Sequence, residues 1–316
     1  MGLRPLSRLR AHQRRLHHLT RVSHQSRPPE LGFSRMSTVN QRGFLSKVVR
    51  RARLSFNYRV GRLQSVVLCE LKEHGLPRSE REREQDERFK ALGLDRRAGI
   101  AAIDKALRDS GLGGFSEDDD MFSEHLVLLG ALSAKVPNAR NVMEIGTYDG
   151  RTALMLSHLF PQATVTTLDL PPTDPVYLSS YEVARTTQFV EKRDEVLRRN
   201  PRVKFVEVNS LSLTNDTGTT GFDIIWVDGD HDFPVVGIDL ANAVRLLRPG
   251  GYLLCDDVVT AKPSRSTTYL SDAAHRSLVA LRGAGLIDEP TYIYKRLGKR
   301  HQHPRKFVAI ATTRSR

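Results

Sequence analysis

Between residues 141 and 255, short apolar runs alternate with stretches of helical periodicity, and each run ends beside a polar residue or a glycine. The runs 142–146, 164–170, 203–209, 223–227 and 251–255 read as strands, and 152–159, 179–199 and 235–247 read as the helices between them. Strands joined through helices lie parallel, and such a sheet is covered on both faces. The tail changes pattern. A helix over 268–284 precedes two strands, 291–295 and 307–312, whose basic loop 296–306 makes them an antiparallel hairpin at the sheet edge. The expected fold class is α/β: a doubly wound, mostly parallel seven-stranded sheet with an antiparallel C-terminal hairpin and a helical N-terminal extension.

The first strand feeds a turn, Glu144-Ile145-Gly146-Thr147-Tyr148-Asp149-Gly150, and a helix follows at once. Gly146 and Gly150 allow a tight turn and close approach of backbone to a ligand. Exposed amides at the helix start suit a polar or anionic group. The spacing is not the dinucleotide fingerprint, because Thr147-Tyr148-Asp149 stands where a second glycine belongs. In a doubly wound sheet, ligands sit outside the carboxyl ends of the strands where the strand order reverses. Glu144, Asp169, Asn209, Asp228 and Asp256 all fall at predicted strand ends and so converge on one crevice.

The net charge of +13 is a nucleic-acid signal until it is located. Residues 1–60 hold thirteen Arg, one Lys and a single acid, Glu30, which leaves 35 basic and 35 acidic residues in the remainder. The folded body is therefore neutral, which argues against duplex binding by it. No apolar run approaches the roughly 20 residues of a membrane-spanning helix. Two cysteines, Cys69 and Cys255, fit a reducing compartment, and Cys255 reads as a buried inert thiol.

Residues 1–40 form a basic, acid-poor segment: a disordered tail, a targeting segment, or an over-extended start upstream of Met36. Residues 41–119 form a helical extension. Within it an apolar stripe over 45–71, flanked by Arg and Lys, is expected to pack on the α/β domain or a second subunit, the homodimer reading; the alternative is peripheral contact with an anionic membrane. A charged segment, 80–88, reads as a solvated helix face, and 98–107 and 122–134 as further helices. Ser123-Glu124-His125 reads as capping and surface. Residues 120–316 form the α/β domain.

With these residues in view, the chain resembles the class I S-adenosylmethionine-dependent methyltransferases, whose fold is Rossmann-like. The resemblance rests on Glu144-Ile145-Gly146-Thr147, on Asp169, on Phe222 through His231, and on Leu246-Leu247-Arg248-Pro249-Gly250-Gly251. Within that class it is most similar to small-molecule O-methyltransferases of the catechol, caffeoyl-coenzyme A and antibiotic-tailoring types. The resemblance implies that Asp169 accepts both ribose hydroxyls and that the turn Gly146, Thr147, Tyr148, Gly150 holds the amino-acid end of the cofactor, near Glu144 and Asp228. It places Asn209-Ser210 against the adenosine. It further implies a divalent ion, Mg²⁺ or another oxygen-liganded cation, between Asp228, Asp256 and Asp257, with His231 as proton acceptor beside Asp228.

The expected function is methyl transfer from S-adenosylmethionine to a small-molecule hydroxyl, with metal assistance. The alternatives are a nucleic-acid or protein methyltransferase, or a cofactor-binding partner protein without chemistry. The segment 173–181, with Asp174, Tyr177 and Tyr181, is a candidate lid. The expected location is cytoplasmic, or an organellar matrix if 1–40 is a transit peptide.

Overall fold

The structure is a computed structural model of the 316-residue chain. It describes residues 78–116, 123–180, 183–213, 221–260, 271–297 and 306–314, all within one compact unit, Arg50–Arg316. The basic tail 1–40, the 45–71 stripe and Cys69 lie outside the described residues, as do parts of the 173–181 and 296–306 segments. Among the described residues no helix is long and apolar enough to cross a membrane.

Three helices, α1 (Arg78–Ala91), α2 (Arg96–Asp109) and α3 (Glu124–Lys135), precede the first strand. The alternating series follows: β1 (Asn141–Ile145), α4 (Arg151–Leu159), β2 (Thr164–Asp169), α5 (Pro175–Ser180), α6 (Val183–Leu197), β3 (Val203–Glu207), β4 (Phe222–Val227), α7 (Val235–Leu246), β5 (Leu247–Val258), α8 (Ala273–Gly283), β6 (Thr291–Tyr294) and β7 (Phe307–Thr312). A 3₁₀ turn, Ser210–Ser212, follows β3. The strands form one seven-stranded sheet in the order β3-β2-β1-β4-β5-β7-β6. The first five are parallel, and β7 runs antiparallel between β5 and β6. The expected architecture is present. Boundaries differ in places: β5, expected over 251–255, runs Leu247–Val258, and the single helix expected over 179–199 is two, the first opening at Pro175, whose fixed φ suits a first helical position.

Strand alternation explains the two-sided core. In register, Val142 pairs with Ile224 and Met143 with Ile225. Val142, Ile224, Trp226 and Leu254 join the cluster under α2, α3 and α4, which includes Ile103, Leu128, Leu132 and Met155. Met143, Ile225, Leu253 and Cys255 join the opposite cluster with Val236, Leu240 and Leu278 from α7 and α8. Successive residues on a strand point to opposite faces, so a continuously apolar strand is one buried on both sides. Buried Cys255, its thiol pushed well up by burial, is the inert core residue expected.

The N-terminal helices are held closely. Asp95 caps α2 by accepting from the Arg97 and Ala98 amides at 2.8 and 3.1 Å. Where α2 crosses α3, a methyl group at Gly99 would lie 2.5 Å from the Val127 carbonyl oxygen, and one at Gly130 would run into the Gly99 carbonyl. The charged helix α1 is only partly the solvated face its composition suggests. Pairs such as Arg78–Glu82, at 2.7 Å, are exposed. Its inner side, Arg81, Gln85 and Phe89, is buried against the sheet edge. Gln85 exchanges two hydrogen bonds of 3.0 Å with the backbone of Tyr294, as a neighbouring strand would. Arg81 donates to the Leu297 carbonyl at 2.9 Å, and Arg88 donates to that of Tyr292. An edge strand exposes unpaired backbone groups, and here a helix supplies their partners.

Alanine normally stabilises a helix by about 1 kcal/mol relative to glycine. Gly130→Ala should instead destabilise the protein by about 1–3 kcal/mol, because the crossing has no room for the methyl. Urea denaturation measures the sign directly, and a more stable variant would refute the close crossing.

Candidate active site

The turn after β1 is built on backbone approach. Gly146 has φ +101°, and a side chain on it would fall 2.7 Å from the Asp228 carbonyl carbon. The Asp228 amide donates to the Ile145 carbonyl at 2.8 Å, which fixes the end of β4 against this turn. Tyr148 sits at φ +48°, a conformation that aromatic residues rarely adopt. Its amide donates to Asp169 Oδ2 at 3.0 Å, and the Leu170 amide donates to Oδ1 at 2.8 Å. Asp169 thus binds the turn through one oxygen and its own strand end through the other. Each oxygen keeps a further lone pair, enough for two hydroxyl donors. The half-exposed Tyr148 ring packs on Phe189, with centroids 4.8 Å apart. Gly150, at φ +78°, leads into α4.

Beneath the turn lies a chain of buried groups. Thr167 donates to Glu144 Oε2 at 2.6 Å, and the Thr147 and Thr167 hydroxyls meet at 2.6 Å. Burial pushes the Glu144 carboxyl up to about 8, against the opposing hydrogen bond from Thr167. Thr147 therefore spends its hydroxyl on the wall of the site. Asn209 caps the 3₁₀ turn by accepting from the Leu211 amide at 3.0 Å, and the Ser210 carbonyl accepts from Asn242 at 3.0 Å. Both stand beside Asp169, whose carbonyl accepts from the Val208 amide at 2.9 Å.

The second group of acids comes from β4 and β5. Asp256 and Asp257 are consecutive, yet both carboxylates bind Lys295. Regular pleating would send them to opposite faces. The ladder with β7 breaks between Cys255 and Val258, and Asp257 adopts φ +53°, which turns the second side chain back. Lys306 pairs with Asp257 as well. Burial would raise both carboxyls, but Lys295, joined by Lys306 at Asp257, outweighs it and holds them below the usual carboxylate range. Asp228 has no such partner. Burial, with Asp256 next, pushes it well above its ordinary value. His231 lies beside the group, its Nε2 3.7 Å from Asp257 Oδ2 and 3.9 Å from Asp228 Oδ1, beyond hydrogen-bond length. Burial lowers its proton affinity despite Asp257, so it is neutral near pH 7.

These donors do not fit a divalent ion. Three of the four oxygens of Asp256 and Asp257 already bind ammonium groups. Among the described residues, no cluster of three His, Cys, Asp or Glu side chains is arranged to hold a metal. A doubly charged ion about 4 Å from an ammonium would meet a repulsion of about 8 kcal/mol at an effective dielectric of 20.

A cavity of about 210 Å³ opens between the glycine turn and these acids. Gly146, Asp149 and Met155 line one side, Asp228, Asp256, Asp257 and Lys295 another, and Leu107, Leu112, Ser123 and His125 complete it. Residues of α2 and α3 therefore wall the cavity, whereas Glu144, Gly150, Asp169, Asn209, Ser210 and His231 are not among its lining residues. Ser123 and His125 are not the surface caps the sequence suggested. Both are buried, and the Ser123 side chain makes no cap bond but meets His125 Nδ1. His125 stacks on Trp226 with centroids 5.4 Å apart, and burial lowers it to about 4, which keeps it neutral. Glu124 between them is clasped by Arg96 at 2.6 and 2.8 Å, and its amide donates to the Lys295 carbonyl at 2.9 Å. The Ser-x-His spacing is the sequence signal of Ser123 and His125, whereas Lys295 carries none of its own.

Residues 143–258 match a protein family described as "Methyltransferase domain". That match takes in 116 of the 316 residues and runs from β1 to the end of β5. Among solved structures, the fold is similar to the O-methyltransferase TomG from Streptomyces achromogenes, with 19% identity over 75% of this chain and 99% of that one and a TM-score of 0.46. The O-methyltransferase from Bacillus cereus is 17% identical over 68% of this chain and 91% of its own, with a TM-score of 0.46. The N-methyltransferase NodS from Bradyrhizobium japonicum WM9 is 18% identical over 61% and 96%, with a TM-score of 0.44. No curated protein sequence matches the chain.

Glu144 gives the site a pH signature. Its carboxyl titrates about 8 in the folded chain and near 4.5 when unfolded, so the folded state holds the extra proton between those values. Its contribution is complete below the lower value and is lost as pH rises through the upper one, at up to about 1.4 kcal/mol per pH unit. Urea denaturation of Glu144→Gln against the wild type from pH 5 to 8 should show the variant gaining relative stability as pH rises. Parallel curves would refute a buried, proton-holding Glu144.

Proposed function

We propose that the protein transfers the methyl group of S-adenosylmethionine to a hydroxyl oxygen of a small molecule. The observation that carries this reading is the convergence of Glu144, Asp169 and Asp228, from the ends of three neighbouring strands, around one glycine turn that opens on a cavity. S-adenosylmethionine, when bound, supplies an electrophilic methyl group on a sulfonium sulfur. Asp169 accepts the two ribose hydroxyls, Asn209 and Ser210 border the adenosine, and the Gly146–Gly150 turn with the α4 N-terminus faces the amino-acid end. The chain's main contribution is alignment of acceptor and methyl, which can supply about 7–11 kcal/mol of the barrier.

A hydroxyl must also lose its proton. Asp228 lines the cavity, and its raised proton affinity makes it a stronger base than an ordinary carboxylate. His231, neutral and 3.9 Å away, takes the proton onward once the two draw together. No step here requires a divalent ion.

Asp169→Ala should weaken S-adenosylmethionine binding about 10–100-fold in calorimetry, the loss expected of hydrogen bonds to a charged group. Unchanged affinity would remove Asp169 from the cofactor site. His231→Ala should lower kcat about 100-fold with cofactor affinity intact, the size of a lost proton-transfer group. Full turnover in that variant would remove the role given to His231.

A further inference from the structure

Two features of the β5–β6 cluster are not used by the reaction above. Lys295 points two of its three donors at Asp256 and Asp257, and it lines the cavity. Asp256 also lines the cavity, and its Oδ1 is buried without a hydrogen-bond partner among the described residues. A buried carboxylate oxygen left this way is costly unless a ligand satisfies it. An ammonium donor and a carboxylate acceptor on neighbouring side chains are complementary to a hydroxyl, which accepts from the first and donates to the second.

The backbone builds this pair. The bulge at Asp256-Asp257 aims both carboxylates at one ammonium, and the bond from the Glu124 amide to the Lys295 carbonyl fixes the strand end that carries it. Lys306 takes the outer oxygen of Asp257, so Lys295 is held by the acids and need not itself neutralise all of them.

We propose that Lys295 stands in place of a divalent ion and, with Asp256 Oδ1, receives the acceptor's hydroxyl. The hydroxyl rests on the methyl-transfer reading; the replacement of a metal does not. Lys295 is thus a built-in cation that orients the acceptor oxygen, whose hydrogen rests on Asp256 Oδ1 in the bound state and turns to Asp228 for the transfer, and the acids are bound internally rather than left open to a metal.

The metal claim is tested on the full chain by titrating Mn²⁺ and following the free-ion signal by electron paramagnetic resonance. The wild type should leave the signal unchanged up to one ion per chain, and Lys295→Met should take up one ion that Lys295→Met/Asp256→Asn does not. Uptake by the wild type that Asp256→Asn abolishes would overturn the proposal, and so would a folded Lys295→Met that takes up none. If Lys295→Met fails to fold, the wild-type titration still decides. With a hydroxylated acceptor, EDTA should leave wild-type turnover unchanged, and Lys295→Met should raise the acceptor KM at least tenfold with S-adenosylmethionine affinity intact. Turnover lost to EDTA and restored by Mg²⁺ would overturn the proposal. Failure to methylate any hydroxylated acceptor would count against the proposed function and the hydroxyl role, whereas the Mn²⁺ result would still judge the lysine.

Discussion

The site depends on one backbone contact, the passage of Gly146 against the carbonyl group of Asp228. Any side chain there would force the β1 turn away from the end of β4 and open the crevice. The contact does more than save space. It sets Asp228 beside the turn that Asp169 clamps through the Tyr148 amide, so the ends of β1, β2 and β4 meet at one turn. The left-handed Tyr148 and the left-handed Asp257 lie on opposite sides of that cleft. Strained backbone is retained where surrounding structure over-determines it, and both positions serve to aim a group into the site.

Charge is distributed unevenly across the cleft. On the β5 side, two lysines make Asp256 and Asp257 permanent anions. On the β4 side, Asp228 has no lysine of its own and is easier to protonate. Glu144 lies deeper still and holds a proton near neutral pH. One set of similar carboxyls thus divides into fixed counter-ions, one group that binds a proton more readily and a neutral wall, and the division follows from which strand ends receive a lysine.

Much of this was legible beforehand. The strand–helix alternation dictated a two-faced parallel sheet, and Gly146, Asp169 and Asp228 stand at the carboxyl ends of β1, β2 and β4 as their neighbours in sequence indicate. Those inferences are local: a strand end can be read from its own residues. The lysines were not legible, because Lys295 and Lys306 reach Asp256 and Asp257 only when β7 inserts between β5 and β6. Three nearby acids suggested a metal because the sequence offered no cation beside them. Ser123 and His125 were misread for a related reason. Their polarity predicts exposure, whereas stacking on Trp226 and the clasp of Arg96 on Glu124 bury the segment. Helix α1 shows the same limit, since its charge pattern conceals the contacts that Arg81, Gln85 and Arg88 make with a strand two hundred residues later.

Those contacts make the beginning of the described chain a chaperone for its end. Strand β6 has β7 on one side and side chains of α1 on the other, so shortening the protein into Arg78–Ala91 would uncover the carbonyls of Tyr292 and Tyr294. A bare rim of that kind is a template on which a second molecule can add a strand. The helix thereby guards against self-association, and the last-made rim of the sheet is completed by a segment that leaves the ribosome long before it.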